Sequence, residues 1–176
     1  MNDLETLKYP IGKFSRPDSI SYSQIHQWIK EVMLLPKELG EIVRKLSEEQ
    51  LQTPYRPEGW TVQQVVHHLA DSHMNAYIRT KLALTEDNPT IKPYLEDRWA
   101  QLPDSQETPV LFSIQLLQSL HYRWGVILAS LKLDDFKKTF FHPESKRKIT
   151  VAELVGIYAW HGKHHMAHVC LVSDKK

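Results

Sequence analysis

Cysteine is almost absent from this chain of 176 residues, in which Cys170 is the one example. A single thiol excludes an intramolecular disulfide framework and any multi-cysteine zinc or iron–sulfur site. An excess of either charge is also lacking, because 22 basic and 21 acidic residues leave a formal net charge of +1 with the histidines neutral. We therefore expect no nucleic-acid partner. Apolar runs are short, and none approaches the roughly 18 residues that a membrane span needs.

The length and composition suit one folded domain. Apolar residues make up 41% of the chain, and five Trp and seven Tyr provide large side chains for a core. We predict a single domain over residues 1–176, in which residues 1–20 form an irregular lead-in that contains Pro10, Gly12 and Pro17. The first 14 residues include acidic side chains and lack the apolar stretch of a signal peptide, so we expect a cytoplasmic protein with no membrane partner.

Hydrophobic periodicity predicts four long amphipathic helices and very little strand. The first helix starts at Ser21 and contains Pro36, which lacks a backbone donor and is expected to kink or split the helix. The second helix starts at Thr61, which can form a capping box with Gln64, and it runs to about residue 85.

The second half of the chain supplies the other two helices. The third is predicted over residues 111–131, and the fourth runs from a capping box of Thr150 and Glu153 to about residue 172. Residues 139–150 have aromatic and β-branched ends around a polar centre, which indicates a small β-hairpin before the last helix. These elements predict an all-α four-helix bundle. The proline-rich residues 89–109 predict a long crossover loop with one short turn of helix near residues 94–101.

Seven of the ten histidines fall in two short windows, residues 67–73 and 161–168. In the fourth helix, His161 and His165 fall on the inward stripe, where Leu or Val would be expected. Histidines at i and i+4 have Cβ atoms about 5–6 Å apart, so their rings can converge on one cation. Adjacent buried imidazolium ions repel each other, and a divalent metal removes that conflict. The alternatives are polar core residues satisfied by their neighbours, or a pH-sensitive cluster.

The periodicity of the second helix leaves the third ligand open. His73 lies near the centre of the inward face, His68 about 100° to one side, and His67 nearly opposite. The pattern therefore favours His73 before His68 and predicts His67 at the surface. His121 falls on the inward stripe of the third helix, where two roles are open: a catalytic residue that acts as an acid/base or substrate contact, or a hydrogen-bonded core residue.

Two stretches of the sequence carry a family resemblance. GWTVQQVVHHLADSHMNAYIR at residues 59–79 and YAWHGKHHMAH at residues 158–168 resemble the DinB/YfiT-like superfamily of metal-dependent helical bundles. The motifs YPIGKF, TPYRPEGWT, KPY and FHPESK fit the YfiT branch of metal-dependent hydrolases from bacilli. The resemblance covers most of the chain and implies both the four-helix bundle and a homodimer.

The resemblance also implies a ligand set. Family members bind one divalent metal ion per chain through three histidines, which correspond to His68, His161 and His165 here. His68 thus takes the position for which periodicity favours His73. Lys163 departs from relatives that have another histidine there, on a face that does not point inward. Zn²⁺ is the expected metal, and Ni²⁺ or another transition metal also suits imidazole ligands.

Three neutral nitrogen ligands leave an open position for water or substrate, as in catalytic metal sites. We therefore expect a metal-dependent hydrolase that acts on a small-molecule substrate through activated water. No carboxylate at a fixed offset from the ligands indicates a general base. Because related bundles are linked to low-molecular-weight thiols, a thiol S-transferase that moves a thiol such as bacillithiol onto an electrophile is the alternative. A non-catalytic, metal-stabilised binding module is the third hypothesis.

Overall fold

A computed structural model of the chain describes residues 4–173. This range forms eight α-helices, a 3-10 turn and a two-stranded hairpin. The helices are α1 (Leu4–Lys8), α2 (Tyr22–Val43), α3 (Glu48–Leu51), α4 (Val62–Thr85), α5 (Glu96–Trp99), α6 (Pro103–Glu107), α7 (Val110–Ser130) and α8 (Val151–Ser173), and the strands are β1 (Thr139–His142) and β2 (Arg147–Thr150). None of the helices in residues 4–173 combines the length and apolar character that crossing a membrane requires.

The long helices begin where the local sequence predicts. Thr61 and Gln64 form the expected reciprocal capping box at the start of α4. At the start of α8 only half of the expected box forms. The backbone N–H of Glu153 donates to Thr150 Oγ1 at 3.1 Å, whereas the Glu153 carboxylate accepts from the guanidinium of Arg147.

Pro36 lies inside α2 without splitting it, since α2 continues as one helix from Tyr22 to Val43. A proline at position 36 has no N–H for the carbonyl of Val32, one turn earlier. That carbonyl accepts instead from Nδ1–H of His121 on α7, at 2.6 Å. A neighbouring helix thus satisfies the acceptor that the proline leaves without a helical partner.

The short elements also follow the sequence, with two additions. The hairpin is confirmed, and its register pairs Thr139 with Thr150 and His142 with Arg147. The turn of helix expected near residues 94–101 is α5, and α6 follows it in the same loop. Residues 1–20 are less irregular than expected because α1 lies within them, while residues 1–3 fall outside the described residues.

The order of the helices confirms that the bundle departs from up-and-down wiring. Both α2 and α4 pack against α7 and α8, so α2 and α4 face each other across a diagonal. Hydrogen bonds between α4 and α7 join His67 to Ser113 and, farther along both helices, Thr80 to Trp124. These two helices are therefore parallel, and residues 86–109 form the predicted crossover by returning along the bundle.

The apolar core has two parts with a histidine layer between them. One cluster contains the fully buried Trp124 and Phe140, and the other contains Leu39 and Leu69. In chain order, His73 of α4 and the four histidines of α8 lie between the residues of the two clusters, and His121 of α7 lies next to that boundary. Buried imidazoles in an apolar core require hydrogen bonds or a ligand. The fold thus concentrates its buried histidines in one region of the bundle.

Candidate metal centre

The structure brings together the three histidines that the family resemblance implies. One nitrogen from each ring of His68, His161 and His165 lies within 4.8 Å of the other two. Nε2 of His68 is 3.2 Å from Nε2 of His161. Two nitrogens bound to one tetrahedral zinc ion at about 2.0–2.1 Å lie about 3.3 Å apart. The spacing of these nitrogens therefore fits two ligands of a single metal ion.

Burial keeps these three rings neutral. Burial, with a smaller effect of His164, lowers the pKa of His68 to about 4. Burial and the neighbouring histidines hold the pKa values of His161 and His165 well below the ordinary histidine value. The neutral ring is the form that offers a lone pair to a metal. The site is thus ready to bind a cation at neutral pH without first losing protons.

A cavity of about 500 Å³ opens over the three rings. Aromatic side chains from the lead-in, the loop after α3 and α8 form part of its wall, together with two cationic and three acidic side chains. Besides the histidines, the lining residues are Tyr9, Tyr55, Trp60, Trp160, Lys8, Arg56, Glu58, Glu96 and Asp97. A cavity of this size accommodates a small molecule.

Sequence reasoning missed the carboxylates of this cavity. Glu96 and Asp97 belong to α5, which the crossover loop carries to the cavity wall. Burial raises the pKa of Glu96, and the negative charges of Asp97 and Glu144 add to the effect. No spacing relative to the histidines marks Glu96 in the sequence, because its position depends on the return path of a 24-residue connection from position 86 to position 109.

His73 and His121 lie deeper in the core. His73 is fully buried, and its Nε2 is 3.4 Å from Nδ1 of His161, on the side opposite the nitrogen that faces His68. His121 is 1% exposed and is not a lining residue of the cavity. Of the two roles considered for His121, the structure therefore supports the hydrogen-bonded core residue.

The prediction that His67 lies at the surface is wrong. His67 is 5% exposed, its Nδ1 is 2.7 Å from Ser113 Oγ, and its Nε2 is 3.0 Å from the carbonyl oxygen of Thr108. The periodicity of α4 marks the face toward α8, but α7 and the end of the crossover loop cover the opposite face. His67 therefore connects α4 to α7 and to this loop.

A second histidine group meets the same distance limit and shares one member with the first. It consists of His164, His165 and His168. Nδ1 of His168 is 3.3 Å from Nδ1 of His165, and Nε2 of His168 is 3.1 Å from the carbonyl oxygen of Lys8. Nε2 of His168 is therefore held by a main-chain carbonyl, and the group of His68, His161 and His165, which the family resemblance implies, is the better candidate for a metal.

The fold and the histidine centre together define a class, the helical bundles that carry a candidate metal site of three histidines facing a cavity. The model of the DinB superfamily matches residues 34–169, which is most of the chain. The chain belongs to this superfamily.

Relatives from bacilli match the chain over nearly its whole length. A Bacillus cereus protein described as "Putative metal-dependent hydrolase" is 56% identical over 170 residues, which cover 96% of this chain and 95% of the relative. A Bacillus anthracis protein with the same description is 54% identical over 169 residues, with the same coverage of both chains. The solved structure of YfiT from Bacillus subtilis, described as "a probable metal-dependent hydrolase with an unusual four-helix bundle topology", has a TM-score of 0.94, 47% identity and 97% coverage of both chains.

Proposed function

We propose that this protein is a metal-dependent hydrolase in which His68, His161 and His165 hold one divalent metal ion per chain. The convergence of three neutral ring nitrogens at the wall of an open cavity carries the proposal. A divalent metal in such a ligand set supplies Lewis acidity, which polarises a scissile carbonyl and activates water. Zn²⁺ is the first choice, and Ni²⁺ is an alternative because imidazole binds both. The descriptions of the bacillus relatives support the same function.

The side chains around the metal centre are suited to bind a small molecule and to move a proton. Trp60 and Trp160 offer apolar ring faces, while Lys8 and Arg56 offer positive charge to an anionic group. We assign the role of proton acceptor to Glu96. Its position on the cavity wall and its raised pKa, which makes the carboxylate a stronger base than an ordinary glutamate, suit it to accept a proton.

The proposal is tested on full-length protein purified without a histidine tag. Elemental analysis is expected to find one transition metal ion per chain. Hydrolysis of a panel of small esters and amides is expected to stop after chelation and to return when Zn²⁺ or Ni²⁺ is added. Absence of metal from the wild type, or turnover that survives complete chelation, would refute the proposal.

A double variant and a matched control test whether His161 and His165 bind the metal. The double variant His161→Ala, His165→Ala is expected to bind no metal and to show no turnover. His26→Ala is the matched control, because His26 is an exposed histidine on α2 that does not line the cavity. Metal content that falls equally in both variants would contradict the assignment of the ligands.

Thiol transfer is the competing function for the same metal. Cys170 is not a lining residue of the cavity, so the attacking thiol would have to enter as a second substrate. The discriminating assay follows the conversion of an aryl halide with and without an added low-molecular-weight thiol. Conversion that depends on the thiol, without ester or amide hydrolysis, would replace the hydrolase by an S-transferase. A metal-loaded protein that performs neither reaction would indicate a binding module.

We also propose a homodimer, which is the assembly that the family resemblance implies. Helix α7 exposes large apolar side chains, among them Phe112, Tyr122 and Val126, which are 62%, 70% and 58% exposed. Exposed apolar clusters of this kind are common at protein–protein interfaces. Light scattering after size-exclusion chromatography is expected to give about twice the chain mass of 20.6 kDa. A monomer at micromolar concentration would contradict the dimer.

A further inference from the structure

A chain of three histidines connects the metal centre to a backbone carbonyl in the core. Nδ1 of His161 faces Nε2 of His73 at 3.4 Å, and Nδ1 of His73 faces Nε2 of His121 at 3.0 Å. Nδ1 of His121 then faces the carbonyl oxygen of Val32 at 2.6 Å. Every contact in this chain joins an Nδ1 to the next acceptor, so the three rings point in one direction along it.

The carbonyl of Val32 determines where the protons lie. A carbonyl oxygen can only accept, so Nδ1 of His121 carries the proton, and neutral His121 has its lone pair on Nε2. His73 must then donate from Nδ1 to His121 and accept at Nε2. Within α2, Pro36 provides no N–H to the carbonyl of Val32, so the usual helical donor does not compete with His121 for that oxygen. Pro36 of α2 is thereby connected to the positions of the protons on His121 of α7 and His73 of α4.

The hydrogen bond between His73 and His161 extends this proton arrangement to the metal centre. His73 accepts at Nε2, so His161 donates from Nδ1, and the lone pair of His161 lies on Nε2. That nitrogen is the one that faces His68. Hydrogen bonds from the second nitrogen of a ligating histidine fix its tautomer and ring orientation. The core histidines thus dictate which nitrogen of His161 is available to a cation.

A shorter chain acts on His165 in the same way. The carbonyl of Lys8 accepts from Nε2–H of His168, which leaves the lone pair of His168 on Nδ1. His165 then donates from Nδ1 to His168, and its own lone pair lies on Nε2. Two of the three candidate ligands therefore end hydrogen-bonded chains that start at main-chain carbonyls on α2 and α1.

We propose that His73 and His121 are positioning residues that hold His161 in the Nδ1–H tautomer and direct its Nε2 toward the metal. This inference rests on the metal site of the proposed function. Neither residue lines the cavity, so neither is expected to touch substrate. Their contribution lies in metal affinity, because a ligand of fixed tautomer and orientation does not have to reorganise when the metal binds.

The first test uses the metal-free wild-type protein. Long-range ¹H–¹⁵N correlation spectra of the histidine rings identify which nitrogen of each neutral ring carries the proton. We expect the Nδ1–H tautomer for His161, His73 and His121. Nε2–H at His161 would overturn the proposal. This measurement needs no bound metal, so its outcome is independent of whether the proposed function is correct.

The second test measures metal affinity by competition with a chromogenic chelator. His73→Phe removes the acceptor of His161 and is expected to weaken Zn²⁺ binding by about 10–100-fold. His73→Gln can still accept from His161 and donate to His121, and is expected to stay within about threefold of wild type. His67→Phe is the matched control, because it replaces another buried histidine of α4 that does not belong to the hydrogen-bonded series of His161, His73 and His121.

The outcomes separate the two proposals. Equal affinity of His73→Phe and wild type would refute the positioning role while leaving the metal site intact. An equal loss in His67→Phe would refute it too, since any buried substitution would then suffice. A wild type that binds no metal would refute the proposed function, and the ring spectra would still decide the tautomers. If His73→Phe does not fold, the spectra and the affinity of His73→Gln decide.

Discussion

Acidification of the metal-free protein should destabilise it, and the buried histidines set the size of the effect. Burial lowers the pKa of His68 to about 4, and burial likewise lowers the pKa of His121 to about 4. The unfolded chain takes up protons near the ordinary value of about 6.5, before the folded chain does. Stability is therefore unaffected by these two groups above about pH 7 and falls as the pH drops toward 4.

At pH 5 each of these two histidines costs about 2 kcal/mol, or about 4 kcal/mol together, because the unfolded form is protonated and the folded form is mostly neutral. For a chain of this size that loss corresponds to a decrease of roughly 8–16 °C in melting temperature. The other buried histidines of the layer shift in the same direction, so the figure is a minimum.

The assay is thermal unfolding followed by circular dichroism at pH 7.5 and pH 5.0 in chelator. His121→Gln removes one titrating ring and is expected to reduce the acid-induced decrease measurably, whereas exposed His26→Gln leaves it unchanged. A metal-free wild type whose melting temperature changes by less than about 3 °C between these pH values would refute the reasoning. So would a His26→Gln variant that has lost the acid sensitivity.

Three further predictions concern the metal, the cavity and the helix packing. At a free metal concentration 100-fold above the dissociation constant, metal binding adds about 2.7 kcal/mol to the free energy of unfolding. Chelation should therefore lower the melting temperature measured by calorimetry by roughly 5–11 °C. An unchanged melting temperature would contradict metal binding. Glu96→Gln is expected to lower kcat for hydrolysis by roughly 100-fold or more while metal content stays constant, and an unchanged kcat would remove Glu96 from the mechanism. Gly156→Ala would place a Cβ 2.8 Å from the Trp28 ring. Urea unfolding should therefore show that the free energy of unfolding falls by about 1–3 kcal/mol. A variant as stable as the wild type would show that the ring can move aside.

The parts of the structure that depend on local sequence were predicted well. Thr61 with Gln64 marked the start of α4, and the four-residue spacing of His161 and His165 placed both rings on the face that packs toward α4. These features depend on capping and helical periodicity, which act within one or two turns. They required no knowledge of how the helices are arranged.

The parts that depend on helix arrangement were harder to predict. His68 and His73 both lie on buried faces of α4. The position of α8 determines that His68 faces Nε2 of His161, whereas His73 faces Nδ1 on the opposite side of the same ring. The family resemblance selected His68, whereas periodicity favoured His73. The burial of His67 was missed because α4 is covered on more than one face. Glu96 was missed because a long connection carries it to the cavity.

The contact between His168 and the carbonyl of Lys8 has a consequence for biosynthesis. These residues are separated by 160 positions in the chain, yet the bond between them helps to shape the pocket wall. During translation the early segment emerges long before α8 does, so a nascent chain held on the ribosome lacks this wall. Metal loading should accordingly follow the synthesis of α8, which carries His161 and His165 as well as the residue that bonds to Lys8.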